Sequence, residues 1–303
     1  MKWTGLKTMR VLVFYFFALF VSIGTLFAQT EKLPPIPWHT INIVWNFQNQ
    51  NTDMDRLDMD VTIDRDVPTN YSLYISPFNA LFNNIQFYAG IQTNVINTNP
   101  VDSSYIAIGK GGIFSRWSTH PDELIGLDYT DMQPNGFRES STTEGNFCSV
   151  RCPFIWTKGT YTLSLVKNET IDFNNQPHTW VSYEITDRSN DKVYKIGRLL
   201  FEGNSIIISQ YVAAFVEIYG GEQSAKSIPE VNVTFGCPVI NNQETPLVQV
   251  YAKQVIGAAI PATPNVTYIT SEKDDITVHL SPEIREQSKN EIIQYIYLEK
   301  LKK

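Results

Sequence analysis

Alternating apolar and polar side chains along most of the chain predict β-strands. Tyr161, Leu163 and Leu165 alternate with Thr162 and Ser164, which places the apolar side chains on one face of an extended segment. The same alternation recurs at residues 181–185, 248–250 and 276–278. Its apolar positions are rich in β-branched and aromatic residues, which fit the half-covered surface of a sheet. We therefore predict half-buried strands through most of the chain.

Turn-forming segments separate these strands. They are Asn135-Gly136, Lys158-Gly159, residues 187–191, Gly220-Gly221 and Asn241-Asn242. Turns at this spacing are typical of β-sandwiches and barrels. The predicted fold class is therefore all-β.

Two interpretations fit the C-terminal segment. In the first, Ser281-Pro282 begins a helix with Ile284, Ile292 and Ile296 on one face. In the second, residues 276–280 and 291–298 form a β-hairpin joined by a polar link. The density of Ile and Tyr in the second arm favours the hairpin.

A change of pattern over residues 238–246 suggests an internal boundary, because a run of polar residues interrupts the alternation there. We predict a β-sandwich domain over residues 29–238 and a short C-terminal β extension over residues 239–303. The extension is short for an independent domain, so we expect it to pack on the main domain.

The first 28 residues have the layout of a secretory signal peptide. Lys2, Lys7 and Arg10 precede an almost wholly apolar stretch over residues 11–23, and the small Ala28 stands just before the composition turns polar. The alternative is an uncleaved membrane anchor, for which the apolar stretch is nearly long enough. Both interpretations predict a secreted or extracytoplasmic protein, with membrane contact only if the segment stays uncleaved.

Charge excludes one class of partner. The formal net charge is -7, and it becomes -10 if the three basic residues of the leader are removed. The remaining Lys and Arg residues are scattered and do not form the basic face that nucleic-acid binding needs. We predict no nucleic-acid partner.

Three cysteines, Cys148, Cys152 and Cys237, are too few for a disulfide scaffold. Strand parity predicts that all three thiols face the interior. Residues four apart in one strand lie about 13 Å apart, which excludes a bond between Cys148 and Cys152. One bridge from Cys237 to either of the other two stays open, whereas the count and spacing do not fit a zinc site.

Four glycosylation sequons occur, at Asn70, Asn168, Asn232 and Asn265. Chance gives about this number in a chain so rich in Asn, Ser and Thr, so the sequons identify no host. In a glycosylating cell we expect them at the surface of a glycoprotein.

No motif for metal, nucleotide or nucleophile chemistry stands out. The four histidines are isolated. The segment 109–112, Gly-Lys-Gly-Gly, precedes a predicted strand and is interpreted as a tight turn, because a phosphate loop requires a following helix. An acidic run over residues 53–66 lacks the Gly and the final Glu of a calcium loop. Since Met59, Val61 and Ile63 alternate with polar residues, we predict a strand with one acidic face, no bound metal and no cofactor.

The most distinctive motifs lie between residues 88 and 156. They are Tyr88-Ala-Gly-Ile-Gln92, Ile113-Phe-Ser-Arg-Trp117, Glu144-Gly145 and Trp156-Thr-Lys-Gly159, with a later Phe215-Val-Glu217. Together they resemble the uncharacterised DUF3472 family of mostly secreted proteins, over roughly residues 40–220. The resemblance implies a β-sandwich of the concanavalin or jelly-roll type and an association with glycans, but it supplies no catalytic residue. Cys148, Cys152 and the segment after Cys237 depart from the family's pattern.

Sugar binding combines aromatic rings with planar polar groups. A ring covers the C–H face of a pyranose, while amides, carboxylates and guanidinium groups form paired hydrogen bonds to hydroxyls. The candidate ligand contacts are Gln92, Asn94, Arg116, Trp117, Glu144, Arg151 and Trp156. Each also fits a structural role, because sandwiches bury Trp and pair Arg with Glu. The leading hypothesis is a secreted glycan-binding protein.

Two other classes of function stay open. A carbohydrate-active hydrolase or lyase needs suitably placed carboxylates, for which Glu144 and Glu217 are the candidates because aromatic and small residues flank them. A structural or adhesive surface protein needs no ligand site, and a wholly buried aromatic patch would indicate it. The lack of nucleophile and metal motifs favours binding over catalysis.

Overall fold

Nearly every regular element in the described part of the chain is a β-strand, as the alternation predicts. The computed structural model describes residues 38–49, 52–98, 105–119, 124–142, 145–219, 228–254, 265–285 and 292–296. One short 3-10 helix, Leu127–Tyr129, accompanies the strands.

The described residues form twenty-one strands. The first eleven are β1 (Trp38–Phe47), β2 (Thr52–Asp53), β3 (Arg56–Ile63), β4 (Leu73–Phe82), β5 (Ile85–Thr98), β6 (Tyr105–Trp117), β7 (Thr130–Met132), β8 (Phe137–Ser141), β9 (Phe147–Pro153), β10 (Gly159–Phe173) and β11 (Gln176–Asp187). The others are β12 (Lys192–Glu202), β13 (Ile207–Ile208), β14 (Tyr211–Ile218), β15 (Val231–Phe235), β16 (Val239–Ile240), β17 (Gln243–Glu244), β18 (Leu247–Gln254), β19 (Asn265–Glu272), β20 (Asp275–Arg285) and β21 (Ile292–Ile296).

These strands form two antiparallel sheets. The first sheet has the order β21-β18-β1-β14-β4-β5-β6-β9-β8, with β13 beside β4 and β2 beside β13. The second has the order β19-β20-β15-β3-β10-β11-β12-β7, with β16 beside β3 and β17 beside β16. Neighbouring strands are often far apart in sequence, so the fold depends on long-range pairing.

The two sheets pack face to face around an apolar interior. A Cβ atom on Gly112 of β6 would lie 2.6 Å from Cδ1 of Ile196 on β12, so the missing side chain lets the sheets approach closely. The rings of Phe87 on β5 and Phe201 on β12 meet edge to face, with centroids 6.3 Å apart. This arrangement confirms the predicted all-β sandwich.

The predicted acidic strand is confirmed as β3. Met59, Val61 and Ile63 are buried in the interior, while Asp60 between them is exposed. The carboxylate of Asp58 forms an ion pair with Arg56, whose Nε lies 2.8 Å away. The alternation in the sequence therefore reports which face of the strand is covered.

Pairs of asparagines close three hairpins. Asn83-Asn84 joins β4 to β5, Asn174-Asn175 joins β10 to β11, and Asn241-Asn242 joins β16 to β17; all six residues have positive φ between 50° and 65°. Two-residue turns of this kind match the twist of the flanking strands, and Asn tolerates the left-handed conformation better than most residues. Only the third pair is among the turns predicted above.

The interpretation of residues 109–112 as a tight turn is wrong. These residues lie inside β6, where the pairing with β5 shifts register next to Gly109, which has φ +100°. Gly111 is required by close packing, because a Cβ there would lie 2.6 Å from the backbone oxygen of Cys152. The glycines thus permit a bulge and a close strand contact.

The C-terminal segment contributes strands to both sheets. The β interpretation of residues 276–280 is confirmed, but the predicted hairpin is wrong, because β20 pairs with β19 and β15. The second arm, β21, instead pairs with β18 in the other sheet, where Ile296 lies opposite Val250 and both are buried. The two arms thus belong to different sheets, β20 between β19 and β15 and β21 at the edge of the first sheet.

None of the three cysteines forms a disulfide. Cys148 and Cys152 are buried on β9 of the first sheet, whereas Cys237 follows β15 of the second and is partly exposed. Its Sγ lies 3.3 Å from the backbone oxygen of Asp274. The predicted bridge from Cys237 is therefore not formed, since its possible partners belong to the other sheet.

The predicted signal peptide or anchor over residues 1–28 lies outside the described residues. Within the described ranges, no helix has the length and apolar character needed to cross a membrane.

Candidate functional site

Adjacent residues of β6 point to opposite sides of the first sheet. The guanidinium of Arg116 faces the second sheet, where it donates to the backbone oxygen of Leu200 and, at 2.9 Å, to Glu202 Oε1. Because side chains alternate along a strand, Ser115 and Trp117 face the other way. We call the side of the first sheet turned away from the second sheet the outer face.

Strand register places a row of side chains across the outer face. Tyr88 on β5 is opposite Ser115, Ser115 is opposite Ser149 on β9, and Ser149 is opposite Glu139 on β8. Neighbouring strands lie 4.7–4.9 Å apart, so these four positions span about 14 Å. Both serines are fully buried.

Four buried polar atoms on this face have no hydrogen-bond partner. They are the hydroxyl of Tyr74, the Oγ atoms of Ser115 and Ser149, and Nε of Arg151. We call these four residues the polar cluster. Since buried polar groups are nearly always paired, these four atoms indicate positions on the outer face where water or a ligand supplies the partners.

The other nitrogens of Arg151 fix its guanidinium in place. Nη1 donates to the backbone oxygen of Ile96 at 2.5 Å, and Nη2 donates to the carboxylate of Glu139. Both ends of this ion pair are largely shielded from solvent, with exposed side-chain fractions of 12% and 19%. The guanidinium is therefore rigid, and its buried Nε–H has no acceptor.

A second row of the outer face is centred on Tyr74. Tyr74 on β4 lies opposite Glu217 on β14 and Gln92 on β5, and all three are buried. A Cβ on Gly90 would lie 2.8 Å from Cε2 of Tyr74, so this glycine lets the ring lie close to β5. Burial raises the pKa of the Tyr74 hydroxyl well above its ordinary value, so the hydroxyl keeps its proton and can donate.

Aromatic rings border the polar cluster. The ring of Tyr88 lies 4.7 Å from that of Trp117 and 5.7 Å from that of Tyr74. Trp117 also packs against Phe147, with centroids 5.9 Å apart. Tyr88 and Trp117 are only half-buried. The aromatic patch is therefore not wholly buried. A wholly buried patch was the result that would have favoured a purely structural protein.

Three of the residues predicted to contact ligand serve the scaffold. Arg116 is fully buried between the sheets. Trp156 is also fully buried, and its Nε1 donates to the backbone oxygen of Gln92 at 3.0 Å, so its ring offers no face to a sugar. Asn94 Oδ1 accepts from the backbone N–H of Gly109 at 2.9 Å and closes the bulge between β5 and β6.

The remaining predicted residues are distributed as follows. Gln92, Trp117 and Arg151 lie on the outer face, in different rows, and so does the catalytic candidate Glu217. Glu144 lies outside the described residues.

Tyr74, Ser115 and Ser149 are absent from the sequence-based set. Strand parity could have indicated Ser149, because it is two residues from Arg151 on a predicted strand. Strand parity could also have separated Arg116 from Trp117, because side chains at adjacent positions of a strand point to opposite faces.

A half-open depression of about 360 Å³ lies on the second sheet. Its carboxylates are engaged within the protein, since Ser164 donates to Asp58 at 2.5 Å and Thr162 donates to Asp60 at 2.5 Å. Across the described residues, His, Cys, Asp and Glu side chains form no group of three or more that could hold a metal ion. This depression therefore presents fewer unsatisfied groups to a ligand than the outer face.

Comparison with protein-family models and with curated proteins finds no match. The resemblance to DUF3472 therefore stays a prediction. Among solved structures, the chain is similar to Scytalido-glutamic peptidase with a peptide-based transition-state analogue, at 9% identity and TM-score 0.39, covering 81% of this chain and 100% of that one.

Two further solved structures are similar at the same low level. The eqolisin peptidase SCP-B, in complex with the tripeptide Ala-Ile-His, matches at 9% identity and TM-score 0.35, covering 81% of this chain and 100% of that one. The marine PL-14 alginate lyase from Aplysia kurodai matches at 11% identity and TM-score 0.29, covering 58% of this chain and 64% of that one. Likeness at this level carries no information about chemistry.

Proposed function

We propose that the outer face of the first sheet binds glycan chains. The polar cluster is the observation that supports this function most directly. Sugar hydroxyls both donate and accept hydrogen bonds, so they can pair with the hydroxyls of Tyr74, Ser115 and Ser149 and with the N–H of Arg151. A purely apolar ligand would leave all four groups unsatisfied.

The aromatic border supports the same ligand class. Tyr88 and Trp117 adjoin the polar cluster and each keeps part of its surface exposed, so a pyranose ring can lie against them while its hydroxyls turn to the cluster. Since the serine hydroxyls are closed to solvent, binding requires side chains on this face to change rotamer, a common response at binding surfaces.

Affinity electrophoresis tests the proposal. The wild-type protein migrates through gels containing β-glucan, xylan, galactomannan, alginate or pectin, and we expect at least one polysaccharide to retard it. Trp117→Ala should weaken that retardation about tenfold, the effect of losing roughly 1.4 kcal/mol of ring contact. Tyr268→Ala is the matched control, because Tyr268 is an aromatic side chain on the second sheet that is 46% exposed. Retardation by none of the polysaccharides would sink the proposal.

Ser149→Ala separates binding from folding. Removing a buried hydroxyl that has no partner removes an uncompensated desolvation cost, so the free energy of unfolding should stay the same or rise. If a sugar hydroxyl pairs with Ser149, affinity should nevertheless fall. Equal affinity with equal or higher stability would show that this serine does not touch the ligand.

A carbohydrate-active hydrolase or lyase is the second candidate. It is supported by the register that places Glu217 directly opposite Tyr74, whose buried hydroxyl keeps its proton. An enzyme should release reducing ends or unsaturated products from the polysaccharide that it binds, and Glu217→Gln should abolish that release while binding persists. Binding without product release by the wild type would assign the site to recognition alone.

A further inference from the structure

One row of side chains on the outer face runs through nine strands of the first sheet. Its positions, from β21 to β8, are Tyr295, Tyr251, Val44, Ala213, Asn79, Tyr88, Ser115, Ser149 and Glu139. Each is the direct cross-strand partner of the next. The row therefore connects the polar cluster with the C-terminal strands without leaving the face.

The far end of this row is an aromatic pair in which Tyr295 is exposed and Tyr251 is half-buried. Tyr251 on β18 and Tyr295 on β21 are direct partners, with ring centroids 6.3 Å apart. Tyr295 is 56% exposed. Tyr211 on β14 points to the same face and is 37% exposed. Partly exposed rings in neighbouring positions, on a face that already carries half-buried Tyr88, are an unusual arrangement for a solvated surface.

Small and polar side chains lie between the two aromatic ends of the row. Ala213 and Val44 occupy the middle of the row, so no large side chain interrupts it there. Asn46 and Gln249 form a parallel polar row next to the tyrosine pair, and Asn46 Nδ2 donates to Gln249 Oε1 at 3.4 Å. Together these residues provide a floor with rings at each end and amides at its border.

From these observations we infer that Tyr251 and Tyr295 form a second sugar subsite, occupied by a distant residue of the same chain that enters the polar cluster. The inference rests on the proposed function. Five strand spacings separate Tyr295 from Tyr88, which is about 24 Å along the row. The ligand class is therefore an extended polysaccharide that lies across the strands, and a short oligosaccharide cannot reach both ends.

The ratio of affinities for a long and a short ligand tests this subsite. The probes are the intact polysaccharide that retards the wild type, chosen from the β-glucan, xylan, galactomannan, alginate and pectin panel, and its trisaccharide. In Tyr295→Ala, we expect affinity for the polymer to fall about five- to tenfold and affinity for the trisaccharide to change less than twofold. Tyr295→Phe keeps the ring and should retain the affinity of the wild type for the polymer.

Controls separate failure of the subsite from failure of the proposed function. Tyr268→Ala on the second sheet should leave both affinities unchanged. If the wild type binds the polymer and Tyr295→Ala binds it equally well, the subsite is wrong while the proposed function stands. If Tyr295→Ala weakens both ligands to the same degree, the tyrosine acts through the structure of the sheet and the subsite is again wrong. If the wild type binds no member of the panel, both proposals fall.

Discussion

Arg116 and Glu202 should respond unequally to mutation, because their surroundings differ. Arg116 is completely buried, whereas 35% of the Glu202 side chain is exposed. The guanidinium carbon also lies 5.1 Å from the centre of the Tyr129 ring and 4.9 Å from that of Phe201. Removal of Glu202 strands a fully buried cation. Removal of Arg116 leaves a carboxylate whose Oε2 is buried and unpaired in the wild type, but its partly exposed side chain can rotate toward water.

The sizes of these effects follow from the same contacts. Breaking a buried ion pair from one side typically costs 3–5 kcal/mol, while an apolar replacement of similar volume is often neutral. We expect Glu202→Ala to cost about 3 kcal/mol, at the lower end because Arg116 keeps its bond to the Leu200 carbonyl. Arg116→Met should cost within about 1 kcal/mol, since Met fills the apolar space without a charge. The double variant should match Arg116→Met, a coupling of about 3 kcal/mol.

Equilibrium unfolding in urea measures all four free energies. The glycan affinity of Arg116→Met provides a second readout, and it should equal that of the wild type because Arg116 faces away from the outer face. A larger cost for Arg116→Met than for Glu202→Ala would refute the reasoning, as would additive effects in the double variant. Loss of glycan binding in a stable Arg116→Met protein would show that the faces are assigned wrongly.

Three further predictions concern the scaffold. Asn83→Ala should cost about 2 kcal/mol in urea unfolding, because its side chain bonds three backbone groups and its φ is +50°. Gly112→Val should cost about 1–3 kcal/mol by the same assay, since even a Cβ meets Ile196 at 2.6 Å; unchanged stability would contradict the close sheet packing. Burial raises the pKa of Cys148 from 9.0 to about 12. Between these values the unfolded thiol releases a proton that the folded thiol keeps, so wild-type stability should fall relative to Cys148→Ala as pH rises from 9 to 11.

The strands could be predicted from sequence where one face is buried and the other is solvated. β3 and β10 show this, because their apolar residues face the interior at every second position. Pairing could not be predicted in the same way. β21 and β20 are neighbours in sequence but lie in different sheets. Which sheet each strand joins depends on the strands with which it pairs.

The candidate site was only partly predictable for the same reason. Ser115 and Ser149 are ordinary serines in the sequence, and only the register between β6 and β9 brings them opposite each other. The motif containing Arg116 and Trp117 lies on β6, the strand that also carries Ser115, but it combines residues from both faces of that strand. Adjacent positions in a strand point apart, so their side chains cannot share one binding surface.

Oxidative footprinting with and without bound polysaccharide tests the central claim most directly. Hydroxyl radicals label exposed aromatic side chains, and the labelled residues are identified by mass spectrometry. The account predicts that ligand protects Tyr88, Trp117, Tyr251 and Tyr295 on the outer face of the first sheet, while Tyr268 on the second sheet is labelled as before. Protection of Tyr268, with unchanged labelling of Trp117 and Tyr88, would contradict it.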